Sequence, residues 1–258
     1  MSVLPPLDLH AHLDPSISTR DLDDLQAVVF AVTRSISEAQ IALSRRDSDT
    51  IWGVGCHPGL ANARHSFDAD EFSRLLDRTA LAGELGLDGS RPSLDEQRVM
   101  LVEALEALSK KPRIVSLHSY RATGELLDVL DAHPIKGAVL HWWLGDGEQT
   151  ARAVDLGCYF SVNSSGIGKR SLLESVPPER LLTETDHPFG DRRSNGPRRP
   201  GATEDVENEI ARVHGLKALE VRRLVWTNLL HLVSAVDCYV LLPAGIRARL
   251  AVMTDPHD

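Results

Sequence analysis

Two imidazoles stand one residue apart in DLHAHLD, at His10 and His12. In an extended strand alternate side chains share a face, so both rings can close on one ion. Further polar residues recur behind short apolar runs: His57 in GVGCHPG, Glu84 in AGELGLD, His118 in VSLHSY, His141 in VLHWW, and Glu184 with Asp186 in LLTETDHPF. Taken alone, each histidine reads more readily as a packed or hydrogen-bonded residue than as a ligand. Together, four imidazoles (His10, His12, His118, His141) and two carboxylates (Glu84, Asp186) suffice for two divalent ions that share a carboxylate. Such a pair makes water acidic enough to yield a nucleophile near neutral pH, and can hold attacking and leaving oxygens.

The elements that must position these groups follow from the apolar pattern. Strands are predicted near residues 7–13, 27–32, 51–56, 80–85, 113–118, 137–141, 158–162 and 180–185,. Helix-like stretches lie between them at 35–44, 68–78, 94–109, 124–132, 148–155 and 169–175, with room for only a short helix in 16–26. Alternation of this kind implies a parallel sheet, and eight units suggest a closed α/β (β/α)8 TIM barrel. Barrel enzymes place their chemistry at the carboxyl ends of the strands, where every candidate falls in this parsing. The i, i+2 spacing of Glu184 and Asp186 is expected to aim both into the barrel, with Glu184 orienting a ligand or water from behind.

Past the eighth strand come a loop at 189–202 and helices at 203–213 and 217–236. The segment LLPAGIRARLAVM reads either as an extra helix or as a poorly ordered extension, so the expected organisation is one barrel over 1–236 and a tail over 237–258.

A chain of 258 residues with 42% hydrophobic and 25% charged content can bury one large core,. It has no apolar run long enough to span a bilayer, so no membrane association is expected. The opening MSVLPPL lacks a secretory signature, which makes the cytoplasm the expected location. Cys56, Cys158 and Cys238 are widely spaced and outside any C-x-x-C pattern, and are expected to be reduced and buried,. A formal net charge of −9 disfavours a long duplex-gripping groove,.

The ordered motifs resemble the TatD family of metal-dependent nucleases within the amidohydrolase-like barrels. DLHAHLD resembles its H-x-H motif, GVGCHPG its G-x-H-P loop, AGELGLD its G-E-x-G-L-D motif and LLTETDHPF its E-T-D-x-P motif, with His118 and His141 in the expected order between the last two. WTNLLHLV resembles the closing T-x-N-x-x-x-L-F helix, with Val233 in place of the aromatic. The resemblance implies hydrolysis of DNA or RNA ends, often as 3′ to 5′ exonuclease action. It implies that His10, His12 and Asp186 bind one metal, that Glu84 bridges, and that His118 and His141 hold the second. It also makes Asp186 the proton acceptor from water and His57 a contact to substrate phosphate. One departure is GLDGSRP, which lacks the family's two aromatics after G-L-D while keeping Arg91. A weaker resemblance of HWWLGD and GCYFSVN to TatD-like proteins of anti-phage defence clusters implies a protein partner in a defence assembly.

Imidazole donors favour Zn, with Mn close behind, over Mg, whereas the resemblance implies Mg or Mn, so the ion stays open. The stretch GDRRSNGPRRPG places Arg192, Arg193, Arg198 and Arg199 beside the last motif, where arginine forks suit phosphate, although a solvated loop reads as well,. Trp142, Trp143, Tyr120 and Phe189 could stack on bases, while at least one of the two tryptophans is expected to be packing. Three functions are carried forward: a nuclease acting on single-stranded DNA or RNA ends, an amidohydrolase cleaving an amide, ester (including an aminoacyl ester) or lactone, and an inactive scaffold barrel. The complete ligand set disfavours the third, and the arginine loop with the resemblance favours the first over the second.

Overall fold

The computed structural model describes residues 4–253. Eight parallel strands run in sequence order: β1 (Leu7–His12), β2 (Val28–Val32), β3 (Thr50–Trp52), β4 (Leu81–Gly86), β5 (Ile114–His118), β6 (Ala138–Leu140), β7 (Tyr159–Val162) and β8 (Leu181–Thr183). Continuous ladders join β1 to β3 and β4 to β8. Two seams complete the ring. At one, Val54 bridges Ala82 in parallel. At the other, the Asp186 N–H donates to the His10 carbonyl at 2.8 Å and the His12 N–H to the His187 carbonyl at 2.9 Å. The result is a (β/α)8 barrel.

Strands buried on both faces read as unbroken apolar runs, and β2, VVFAV, is buried throughout,. The intervening helices are α1 (Thr19–Asp23), α2 (Ile36–Ala42), α3 (Ala61–His65), α4 (Ala69–Leu75), α5 (Leu94–Lys110), α6 (Thr123–Ala132), α7 (Gly147–Asp155) and α8 (Arg170–Ser175). Their starts are chemically marked: the side chains of Ser18, Ser35 and Asp68 each cap a backbone N–H, and Asp146 with Gln149 forms a capping box on α7,. After β8 follow α9 (Glu204–His214), α10 (Ala218–Ala235) and α11 (Ala244–Val252). The segment that the sequence left open between helix and extension is thus helical over α11, which seats Ile246 and Leu250 in the core and pairs Arg249 with Asp49. Residues 1–3, within the opening MSVLPPL, and 254–258, within the expected tail, lie outside the described residues.

Glycines let neighbouring strands approach at the rim that carries the polar groups. A Cβ on Gly86, at φ 128°, would lie 2.1 Å from the His118 carbonyl oxygen, and one on Gly83, at φ 151°, 2.9 Å from Ser116 Cβ,. Two predicted strands end early: β3 stops at Trp52, and β8 stops at Thr183 with Arg180 in a preceding 3-10 turn. The three cysteines are free and buried. Among the described residues, no helix is long and apolar enough to cross a membrane.

Candidate metal centre and substrate pocket

On β1 the polar Asp8, His10 and His12 stand among the apolar Leu7, Leu9 and Ala11, with a register irregularity between Asp8 and Ala11, and His10 and His12 turn their Nε2 atoms toward each other. Glu84 enters from β4, His118 ends β5, and His141 directly follows β6. Asp186 stands beyond β8 with φ 44°, so a turn aims it, and not the strand alternation expected from its spacing to Glu184. The structure brings all six side chains together. His10 Nε2 lies 3.4 Å from His12 Nε2, 3.8 Å from Glu84 Oε2 and 3.6 Å from Asp186 Oδ1. His12 Nε2 lies 3.4 Å from the same Glu84 oxygen and 3.3 Å from the same Asp186 oxygen. On the other side Glu84 Oε1 is 2.7 Å from His118 Nδ1 and 3.1 Å from His141 Nε2, and the two nitrogens are 3.2 Å apart.

These separations suit a bound ion. With bonds of about 2.0–2.1 Å, neighbouring donors of a tetrahedral shell lie about 3.4 Å apart. The first set meets that spacing, and nitrogen with carboxylate oxygen is a donor mixture suited to zinc or manganese. Glu84 Oε2 and Asp186 Oδ1 are buried without a hydrogen-bond partner among the described residues. Buried carboxylate oxygens are costly unless something positive faces them. Three triads of donor atoms converge: His10, His12 and Asp186; His10, Glu84 and His141; and His57, Glu84 and His118.

The electrostatics of the cluster calls for positive charge. Burial, reinforced by the neighbouring His141, holds the His10 imidazole well below its ordinary pKa. Burial works against an ionised Glu84, yet His57, His118 and His141 outweigh it and hold that carboxyl well below the usual range. His141 is buried too, but the Glu184 and Glu84 carboxylates overcome that penalty and hold it well above the ordinary imidazole value. Burial pushes the Asp186 carboxyl up, with His12 and His141 offsetting part of the rise.

Buried neighbours fix the donors. His10 Nδ1 is 2.6 Å from Ser116 Oγ, which leaves Nε2 facing the cluster,. The His10 and His141 rings stack at 3.9 Å. Glu184 does not face the cluster directly. Its Oε1 accepts from the Trp142 backbone N–H at 2.8 Å and Asn163 Nδ2 at 3.0 Å, lies 3.8 Å from His141 Nδ1, and its Oε2 accepts from Ser161 Oγ. His57 Nδ1 accepts the Gly59 N–H at 2.9 Å, so the neutral ring carries its proton on Nε2, 3.6 Å from Glu84,.

Above the cluster opens a pocket of about 340 Å³ whose wall includes Arg34, Arg91, Tyr120, Trp142 and Phe189. Arg192 and Arg193 are exposed on the 3-10 turn Gly190–Arg193 and lie outside that lining. The Asp186 carbonyl accepts the N–H groups of Phe189 and Gly190, both at 2.7 Å, and this tight turn puts Phe189, not the arginines, at the pocket. Arg198 instead faces Asp191 at 3.4 Å, and Arg199 donates to the Asp24 carbonyl at 3.2 Å. Trp143 is the packing tryptophan: it is buried against Phe160 and donates to Thr150 Oγ1. Sequence inspection passed over Asp8 and Ser116, although the period of two from His10 and His118 marked both, and over Arg34, for which nothing in the pattern gave a signal.

Comparison with known proteins identifies the family. Residues 7–234 match the family described as TatD related DNase. The chain is 30% identical over 181 residues to a 3'-5' ssDNA/RNA exonuclease TatD of Edwardsiella piscicida, covering 64% of this chain and 69% of that protein. It is 27% identical over 257 residues to a putative deoxyribonuclease tatdn3 of Danio rerio, covering 88% and 97%. The crystal structure of YJJV, a TatD homolog from Escherichia coli, superposes with a TM-score of 0.78 at 24% identity, over 88% of this chain and 96% of that one. With the match spanning nearly all of the barrel and its rim motifs, the chain belongs to the TatD related DNase family.

Proposed function

We propose that this protein is a metal-dependent hydrolase that cleaves phosphodiester bonds at single-stranded ends of DNA or RNA. The observation that carries the proposal is the convergence of His10, His12, Glu84, His118, His141 and Asp186 beneath a pocket walled by arginine and aromatic side chains. In this reading His10, His12 and Asp186 hold one divalent ion, His118 and His141 a second, and Glu84 offers one oxygen to each. Two such ions would supply Lewis acidity, lowering the pKa of water and neutralising charge that develops on the phosphoryl group.

The chain's own residues do the rest. Asp186 accepts the proton of the attacking water as general base. His57, with its proton on Nε2, donates a hydrogen bond to a phosphate oxygen,. Arg34 and Arg91 are only loosely held, by Glu38 at 3.8 Å and Asp88 at 3.6 Å, and turn to the phosphates,. Tyr120, Trp142 and Phe189 offer faces on which unpaired bases stack whatever their sequence,. Arg192 and Arg193, outside the wall, engage the strand further along. A pocket near the lower end of the range for small-ligand sites admits a strand end and excludes a duplex,.

The test is chelation followed by readdition of Zn, Mn or Mg, scored on end-labelled single strands and on a panel of esters and lactones. Stepwise shortening of the strand that returns with the metal is expected. Turnover of the ester panel with intact strands would overturn the proposal.

A further inference from the structure

Asp186 sits in the left-handed backbone region at φ 44°, which an aspartate adopts at a cost and keeps only where its surroundings over-determine it,. Those surroundings are specific. Just before it, Thr185 donates twice to Asp8, its N–H to Oδ1 at 2.8 Å and its hydroxyl to Oδ2 at 2.6 Å. Asp8 is fully buried and also accepts the N–H groups of Gly201 at 2.8 Å and His10 at 3.3 Å. Just after it, the His187 N–H donates to Thr185 Oγ1 at 3.1 Å, and the His187 ring places Nδ1 2.6 Å from Asp191, which is buried as well. Gly190 closes the turn where a Cβ would lie 2.7 Å from the Thr185 carbonyl oxygen. Neither Asp8 nor Asp191 is part of the pocket wall.

Four N–H and O–H groups converge on the Asp8 carboxylate, which only accepts. An amide there would point its NH2 at donors and leave them unpaired. Thr185 is the link, because one hydroxyl both donates to Asp8 and accepts from His187.

We infer that Asp8, acting through Thr185, is a positioning residue that holds Asp186 in its working orientation, with the His187–Asp191 contact as a second brace. The inference rests on the reading of Asp186 as metal ligand and proton acceptor. It adds a role for two buried carboxylates that stand outside the pocket wall and the clusters of metal-donor atoms.

Thr185→Val keeps the side-chain shape and removes the hydroxyl, whereas Thr185→Ser keeps the hydroxyl. Loss of an outer partner of a metal ligand costs about 10–100-fold in metal affinity or activity. Thr185→Val is therefore expected to lower kcat by that factor with KM within about twofold. Thr185→Ser should stay close to wild type, and the visible spectrum of the cobalt-loaded protein should change in the valine variant alone. A Thr185→Val kcat within twofold of wild type, or an equal loss in Thr185→Ser, would overturn the inference. Should the valine variant fail to fold by circular dichroism, Asp191→Asn takes its place. That variant is expected to lose a few-fold in kcat at constant KM, and an unchanged kcat would count against the brace. If the wild-type protein degrades no strand with any metal while the cobalt spectra still differ, the proposed function falls and the brace stands.

Discussion

At the floor of the pocket, His10, Glu84, His141 and Asp186 are buried on or just past strand ends, and Ser116 and Glu184 bond behind the imidazoles or lie beside them. At the rim, Arg34, Arg91, Tyr120 and Phe189 stand in the connecting loops, with Arg91 61% exposed and held only by an ion pair of 3.6 Å. The floor is thus a rigid constellation and the rim an adjustable one. Buried partners cost much to remove, because each deletion leaves an unpaired polar group behind, whereas exposed ion pairs contribute little. In the proposed function, chemistry is therefore set by the strands and the turns just past them, and substrate choice by the loops.

The largest effect should come from the floor. Asp186→Asn is expected to fold normally and to lose about 10²–10⁴-fold in kcat, the range for removal of a general base. Thermal melting and steady-state rates on labelled strands check this, and near-normal turnover would remove Asp186 from the chemistry. One step behind the floor, Glu184→Gln keeps the volume and two acceptor sites fewer, and its expected loss is about 10–100-fold in metal affinity, read by titration,.

Rim substitutions should act on binding. The Arg34→Ala, Arg91→Ala double variant is expected to raise KM about tenfold at unchanged kcat, as charge-assisted contacts are lost. It should also flatten the salt dependence of binding by a slope of about 0.7 per lost phosphate contact on single strands. A fall in kcat at constant KM would move these arginines from rim to floor. The smallest change belongs to the Arg192→Ala, Arg193→Ala variant, expected to leave trinucleotides unaffected and to weaken binding of longer strands by less than about threefold, since exposed charges are screened. An effect on trinucleotides as large as that of the Arg34 and Arg91 pair would erase the distinction.

The same division governs what the sequence disclosed. Strand ends were legible because apolar runs announce parallel strands and a lone His or Glu behind such a run is conspicuous. His10, Glu84, His118 and His141 stood out in that way. Ser116, Ser161 and Asn163 did not, because small neutral polar residues inside a strand or just past its end look like filler until their partners are seen. The spacing of Glu184 and Asp186 suggested one shared face, but β8 ends at Thr183 and the turn that follows separates the two side chains into different jobs. Arg34 gave no signal, since a loop residue reaches its pocket through tertiary packing alone, whereas Arg192 and Arg193 attracted notice by clustering that the fold keeps outside the wall. The helix α11 was ambiguous for a similar reason: half of its apolar residues are small alanines, and only the burial of Ile246 and Leu250 in the core decides its state.

The central claim is that side chains from separate strand ends converge to hold two cations over one shared carboxylate. Anomalous diffraction at the manganese edge from a manganese-soaked crystal tests it most directly. Two peaks are expected, one among His10, His12, Asp186 and Glu84 and the other among Glu84, His118 and His141. Peaks away from these residues, or none in crystals of protein shown to be active with manganese, would contradict it.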